Sequence, residues 1–595
     1  MDSRIAPDAY IALQLPSGTT KVLQILPNSN VSLGKYGSFP ANQILGRPFY
    51  LTFEILDEAD ANGHILRVVP AAELHTEALM TECSGPGELD DGLETGDANG
   101  EDESTDARDN RNIVDDNSAQ RMTMEEIENL KQGTTGAGKE IIAKLLQSHS
   151  ALDQKTAFSR AKYTLRKRKK FLKRFTPLPL DVSLLTNWML DKDGGRTMEI
   201  RDELLGLIGC YGNVHHAGEE ILDPTAAQPG GRWLIVDDTG GLVVAAMAER
   251  MGILYPSSTD SDRGLDELVA EKIEPGDAPI ETGATPMANI DDKPLENSDD
   301  LNPSTPHQLH HPYRAAPMSA KSTSITVIHP NFQPNLTLLK YFSYDLNDPP
   351  ESHPLHTHLK TLSWIQLVDP DSDSTYANEP EVVPESVLNE WKPSKRGGYH
   401  RKRRRWTRVQ TVVEETRAGG FDGLIVATLM DPASVLKHAV PLLAGSAPVV
   451  VYSPHIEPLV KLVDLYSTMR RAAYLNQKHA AQEGQRKGRS EQSETADEAK
   501  EINYDDDDFP VDPSLLLAPS IQTSRVRPWQ VLPGRTHPLM TGRGGAEGYV
   551  FHAIRVIPAG KKVEARGIPG RKKRKVATES SEQTPKESED VDMQD

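Results

Sequence analysis

With 595 residues the chain has length for about three or four domains, yet only 37% of it is hydrophobic, against a usual ~45–50%, so several stretches must lie outside any packed core. Its net charge of -21, from 66 basic and 87 acidic residues, repels phosphate on average, but the charge is segregated and local basic patches survive. Cys83 and Cys210 are the only cysteines, which excludes a disulfide framework or a cysteine zinc site and points to a reducing compartment.

The first residues, MDSRIAPDAY, carry neither the apolar core of a signal peptide nor the bias of a transit peptide. No apolar stretch nears the roughly 20 residues of a bilayer span, so a soluble intracellular protein with no membrane partner is expected. Residues 1–80 read as a small antiparallel β-barrel. Tyr10 to Leu15 and Thr20 to Leu26 flank Pro16-Ser17-Gly18, and Phe49 to Ile55 and His64 to Val69 flank Asn62-Gly63. Residues 81–112 are acidic and almost without large apolar groups, and are expected to be a disordered insert. In 113–177 a helix starts at Thr123 with Glu126 placed for a capping box. Two more helices follow, Lys139 to Gln147 and Asp153 to about Arg174.

From 178 the pattern is α/β. Residues 178–255 hold helices at Val182 to Leu190 and Ile200 to Gly209, a buried strand at Arg232 to Val236 and an apolar helix at Leu242 to Met251. After a disordered insert at 256–322, residues 323–476 resume with strands at Ser324 to His329, Phe421 to Ala427 and Pro448 to Tyr452. Helices there cover Ala433 to Leu443 and Glu457 to Tyr466. Alternating strands and helices predict a parallel, doubly wound, Rossmann-like sheet. A third insert (477–512) precedes closing antiparallel strands within 513–560, Arg525 to Leu532 and Tyr549 to Ile557. A disordered tail, 561–595, carries Arg571, Lys572, Lys573, Arg574 and Lys575, a run that reads as a nuclear localisation signal.

In a Rossmann-like sheet the first strand leads into a glycine-rich turn against which a nucleotide-like ligand lies. Here that turn is Asp237-Asp238-Thr239-Gly240-Gly241, without a G-x-G pair and with Asp238 and Thr239 where a ligand needs room. Enzymes that methylate a base nitrogen place Asp or Asn, then Pro and an aromatic, at a later strand end; Ala427 to Ala433 offers Thr428 and no aromatic. Asp431-Pro432 suits the start of the next helix. No catalytic, cofactor-binding or metal-binding residue is therefore expected. Two basic runs with interleaved aromatics point to RNA, through phosphate neutralisation and base stacking. The first contains Lys162, Arg166, Lys167, Arg168, Lys169, Lys170, Lys173 and Arg174 with Tyr163, Phe171 and Phe175. The second, within 395–408, contains Arg401, Lys402, Arg403, Arg404, Arg405 and Arg408 with Tyr399 and Trp406.

Three stretches resemble the non-catalytic subunit of the eukaryotic tRNA (adenine(58)-N(1))-methyltransferase. They are Ser32 to Pro40 (SLGKYGSFP) with Asn42 to Pro48, Asp116 to Ile127 with the basic helix after it, and Arg525 to Pro533 (RVRPWQVLP) with Arg535 to Pro538; Pro448 to Pro454 also fits. The resemblance implies an N-terminal β-barrel and a degenerate Rossmann-like methyltransferase domain. It further implies two such chains assembled with two catalytic subunits, S-adenosylmethionine bound by the catalytic partner and no cofactor in this chain, and tRNA as the RNA. Two alternatives stay open on the residues alone: an active S-adenosylmethionine-dependent methyltransferase with an unusual donor loop, and a nuclear RNA-binding scaffold or factor linked to translation initiation.

Overall fold

The computed structural model describes residues 4–56, 59, 63–82, 121–133, 138–150, 152, 155–216, 231–256, 323–489, 509–532, 535–539 and 546–558. Most of the first two expected inserts, residues 490–508 of the third, and the basic run 571–575 lie outside them. The elements below belong to one compact unit, Met1–Val556.

The hairpin around Gly18 forms as the turn chemistry requires: β1 (Tyr10–Gln14) pairs with β2 (Thr20–Gln24), Gly18 having φ 82°. β3 (Asn30–Ser32) pairs with β4 (Ser38–Pro40), and β5 (Phe53–Ile55) with β6 (Leu66–Val68), all antiparallel. The strand that joins these pairs is not apparent from sequence pattern. β7 (Arg174–Pro179) lies antiparallel to both β1 and β5, giving the order β2-β1-β7-β5-β6. The basic helix stops at Phe171 instead of about Arg174. Pro177 and Pro179 supply no backbone N–H and push the residues before them to extended geometry, so helix cannot continue through them. Phe175, alternating inward on β7, stacks against Phe39 at 4.5 Å and Phe53 at 5.5 Å in a core that also takes side chains from β1 and β3.

Strands β5, β6 and β7 carry an ion cluster. Glu54 on β5, 2% exposed, accepts hydrogen bonds from its cross-strand neighbours Arg67 and Arg174. Glu73, in the helix Ala71–Glu82, accepts from both arginines at 3.2 Å and from Lys139 of the helix Lys139–Gln147. Those bonds, Lys139 first and then Arg67, hold the Glu73 carboxyl down to about 2 from an ordinary 4.5. A depressed carboxyl stabilises the fold fully above its unfolded value, and the contribution disappears as pH falls from about 4.5 toward 2. Urea midpoints should drop across that window, and Glu73→Gln should show a shallower drop. An acid dependence identical in the variant would remove Glu73 from the account.

The second sheet has seven strands: β8 (Arg232–Asp237), β9 (Ser324–His329), β10 (Leu359–Ser363), β11 (Gly423–Ala427), β12 (Pro448–Ser453), β13 (Leu516–Gln522) and β16 (Tyr549–Arg555). Their order is β10-β9-β8-β11-β12-β16-β13. The first five are parallel, β16 runs against β12, and β13 against β16. Strands buried on both faces need helices on both sides, and they have them. Leu242–Met251, Val182–Asp193 and Asp202–Tyr211 pack on one side; Pro393–Arg417, Pro432–Ala439 and Glu457–Leu465 pack on the other. The result is a mixed, Rossmann-like sheet whose strand order reverses between β8 and β11, the position at which such sheets take ligands.

Two sequence expectations need correction here. β16 pairs with β13, not with the 525–532 stretch. Pro519 inside Leu516–Gln522 makes that stretch look unlike a strand, yet proline is tolerated on an edge, where β13 sits with a bulge between Leu517 and Ser520. The displaced segment makes its own hairpin, β14 (Trp529–Leu532) with β15 (Arg535–Pro538). The helix Thr468–Arg489 also continues into what composition assigned to the 477–512 insert.

Candidate functional site

At the switch point, β8 ends in Asp237 and the chain turns through Gly240 (φ 77°) and Gly241 (φ 91°) into the helix Leu242–Met251. Asp237 faces inward. Its carboxylate accepts from the Thr239 N–H and hydroxyl, each at 2.6 Å, and from the Val244 N–H at 3.2 Å. Burial nevertheless pushes its carboxyl up to about 6. Thr239, fully buried, accepts in turn from the Val243 N–H at 3.1 Å. Both side chains serve the first turn of the helix, so Thr239 does not stand in a ligand's path as its position in the sequence suggested.

What closes the crevice comes from elsewhere. The Asp238 carboxylate accepts from the Thr428 hydroxyl and, at 3.0 Å, from the Leu429 N–H, while the Asp238 N–H donates to the Ala427 carbonyl at 2.8 Å. These bonds tie the ends of β8 and β11 together across the switch point. Over the two glycines lies the segment entering the 3-10 turn Thr337–Phe342. Leu338 N donates to the Gly240 carbonyl at 3.0 Å, and a Cβ on Gly241 would stand 3.0 Å from the Leu336 backbone. Leu336 and Leu338 are buried there. The glycines thus admit the chain's own backbone, Leu336 and Leu338, against the turn. At the later strand end, Asp431 caps the helix Pro432–Ala439 by accepting from Ser434 N at 3.1 Å, as expected. The Thr428 hydroxyl is spent on Asp238. Among the described residues no His, Cys, Asp and Glu group could hold a metal, and no helix is long and apolar enough to cross a membrane.

The first basic run lies on the helix Ala157–Phe171, capped by Thr156 through Ser159 N at 3.3 Å. Arg166, Lys169 and Lys170 are exposed, whereas Lys162, Lys167, Arg168 and Lys173 are half-buried. Arg174 does not belong with them. It is 5% exposed, with its guanidinium against Glu54 and Glu73, and it offers nothing to phosphate. Charge density in the sequence cannot distinguish a cation on a helix surface from one turned under a strand. The aromatics of this run are also committed. Phe171 and Phe175 are buried, and Tyr163 meets His149 edge-on at 4.8 Å with the Lys167 ammonium 4.8 Å over its ring.

The second run lies on the 25-residue helix Pro393–Arg417, an element not among those expected from the sequence. Arg401, Arg404, Arg405 and Arg408 are exposed and share one face by their i, i+3, i+4, i+7 spacing. Lys402 is exposed beside it and Arg403 half-buried. On the opposite side the Tyr399 hydroxyl donates to the Glu381 carbonyl at 3.0 Å and accepts from Val383 N and from Arg403. Trp406 Nε1 donates to the Tyr376 carbonyl at 2.8 Å. Those aromatics staple 376–383 to the helix and are not free to stack on bases. A spacing signal was present, since Tyr399, Arg403 and Trp406 recur at helical intervals behind a proline at the first helical position.

A model of the Gcd10p family matches residues 4–392. The chain is 56% identical to the tRNA (adenine(58)-N(1))-methyltransferase non-catalytic subunit of Aspergillus oryzae, over 98% of each chain, and 56% identical to that of Aspergillus fumigatus over 100% of each. Among solved structures, the tRNA (m1A58) methyltransferase TrmI from Aquifex aeolicus is similar at a TM-score of 0.34 and 8% identity, covering 93% of this chain and 100% of that one, too distant to add to the fold described above.

Proposed function

Because the chain belongs to the Gcd10p family, we propose that it is the non-catalytic, tRNA-binding subunit of a heteromeric tRNA (adenine(58)-N(1))-methyltransferase. The observation that carries this reading is the closed switch point: Asp238 bonded to Thr428 and Leu429, with Leu336 and Leu338 over Gly240 and Gly241. A Rossmann-like sheet whose turn is packed by its own chain supports a role carried by surface, and two helices present exposed cations. The relatives' shared name supplies the catalytic partner and the tRNA.

In this reading the partner binds S-adenosylmethionine, two chains of each kind assemble, and Arg571 to Lys575 direct the chain to the nucleus. The N-terminal strands form a barrel around the core shared by Phe39, Phe53 and Phe175. Calorimetry of the isolated chain with S-adenosylmethionine should give no binding heat, and methylation of tRNA should require a catalytic partner. Micromolar donor binding, or methylation by this chain alone, would return the reading to an active enzyme.

A further inference from the structure

Residues of the first and third stretches that carry the family resemblance lie against the basic helix, and we propose that Lys35 and Arg535, which belong to them, are RNA-phosphate contacts continuous with that helix. The proposal rests on the RNA-binding reading above and extends it to residues that no basic run contains.

At the start of the helix, the Phe158 ring collects two cations. The Arg535 guanidinium lies 5.6 Å from its centroid and the Lys162 ammonium 5.5 Å, while the His537 ring of the same β15 strand meets it edge-on at 5.9 Å. The register of the hairpin explains why Arg535 points there. Arg535 is opposite Leu532 and His537 opposite Gln530, so these four share one face, and Trp529 and Val531 share the other. At the far end of the helix the Tyr36 hydroxyl donates to the Lys169 carbonyl at 2.9 Å, and the exposed Lys35 ammonium lies 4.8 Å over the Tyr36 ring.

Along the helix Arg166 follows Lys162 by four residues, and Lys169 and Lys170 follow Arg166 by three and four, so all lie toward one side. Phe158 to Lys169 alone covers roughly 16 Å at about 1.5 Å per residue. Among the described residues, none of Lys35, Lys162, Arg166, Lys169, Lys170 and Arg535 is ion-paired to a carboxylate. Cations at i, i+4 repel one another and weaken a helix. A surface needed only for solubility has no reason to draw two more cations to its ends from distant segments and hold them on aromatic rings. A polyanion whose phosphates follow one another along a backbone offsets that repulsion, and RNA is such a ligand.

The test uses the complete complex with its catalytic partner and measures tRNA affinity between about 50 and 200 mM salt, a range over which phosphate contacts are resolved. Lys35→Gln and Arg535→Gln should each lower the slope of log affinity against log salt by about 0.9, and the pair together by about 1.8. Each should weaken binding about fivefold near 0.15 M, by the same relation. Arg535→Lys should recover most of the loss, and subunit assembly should be unchanged in all variants. The reference is the helix variant Arg166→Ala/Lys169→Ala/Lys170→Ala. If that variant loses affinity and the Lys35, Arg535 pair does not, the extension is wrong while the helix reading stands. If neither changes, the RNA reading of this surface falls too. Loss of assembly in place of affinity, or failure of Arg535→Lys to recover binding, assigns Arg535 to packing and overturns its role.

Discussion

Glu54→Ala should destabilise the N-terminal strands by about 3–5 kcal/mol, the cost of breaking a buried ion pair by removing one partner. Arg174 is almost wholly buried, and Glu54, on the paired strand, accepts its Nε–H at 3.2 Å. Without Glu54, Glu73 remains as a carboxylate shared by Arg174, Arg67 and Lys139. Replacing both partners should behave differently. A Glu54→Met/Arg174→Met chain loses the attraction and the desolvation cost together, and should lie far closer to the parent than either single variant, as buried pairs replaced by apolar groups commonly do. Chemical denaturation of the four chains of that cycle measures the difference. A single variant within 1 kcal/mol or so of the parent would show that the cluster contributes little. Because β7 follows the basic helix directly, Glu54→Ala should also weaken tRNA binding without touching an exposed cation.

Replacing Arg401, Arg404, Arg405 and Arg408 by alanine should do the reverse: affinity for tRNA falls while stability holds or rises. If each arginine neutralises one phosphate, the salt slope decreases by about 3.6 and affinity near 0.15 M falls on the order of 10³-fold. The folded state has little reason to suffer. The four side chains are exposed, Arg401 with Arg405 and Arg404 with Arg408 repel at i, i+4, and alanine is the better helix former. The bonds that tie this stretch of helix to residues 376–383, from Tyr399 and Trp406, are untouched. Salt-dependent binding of the reconstituted complex together with a melting curve separates the two effects. Retained affinity would strike this helix from the RNA surface. A lowered melting temperature would mean that the arginines pack against something other than RNA.

Periodicity and turn chemistry resolved most of the second sheet from sequence. Ser324–His329 and the strands after Phe421 and Pro448 are apolar runs bounded by turn residues, and the helices after Gly241 and Asp431 have their caps in the sequence. Less legible were the elements whose partners lie far along the chain. β7 is a six-residue stretch with two prolines, separated by more than a hundred residues from the β1 and β5 strands it joins. β13 contains a proline that only an edge position accommodates.

The candidate site divides along the same line. The departure of both motifs from the methyltransferase pattern could be read locally, because a turn lacking paired glycines at the right spacing and a strand end without an acid and an aromatic are properties of a few consecutive residues. How the site is closed could not, because Leu336, Leu338 and Thr428 reach the turn from other segments. Sequence by itself determined that the chain carries dense positive charge beside degenerate chemistry, since charge and missing side chains belong to residues individually. Tertiary structure alone decided which cations face solvent: it turned Arg174 inward onto Glu54, set Arg166 and Lys169 outward, and set Lys35 and Arg535 at the ends of their helix. Exposure and adjacency are relations between segments, created when strands pair and helices dock, and no local spacing encodes them.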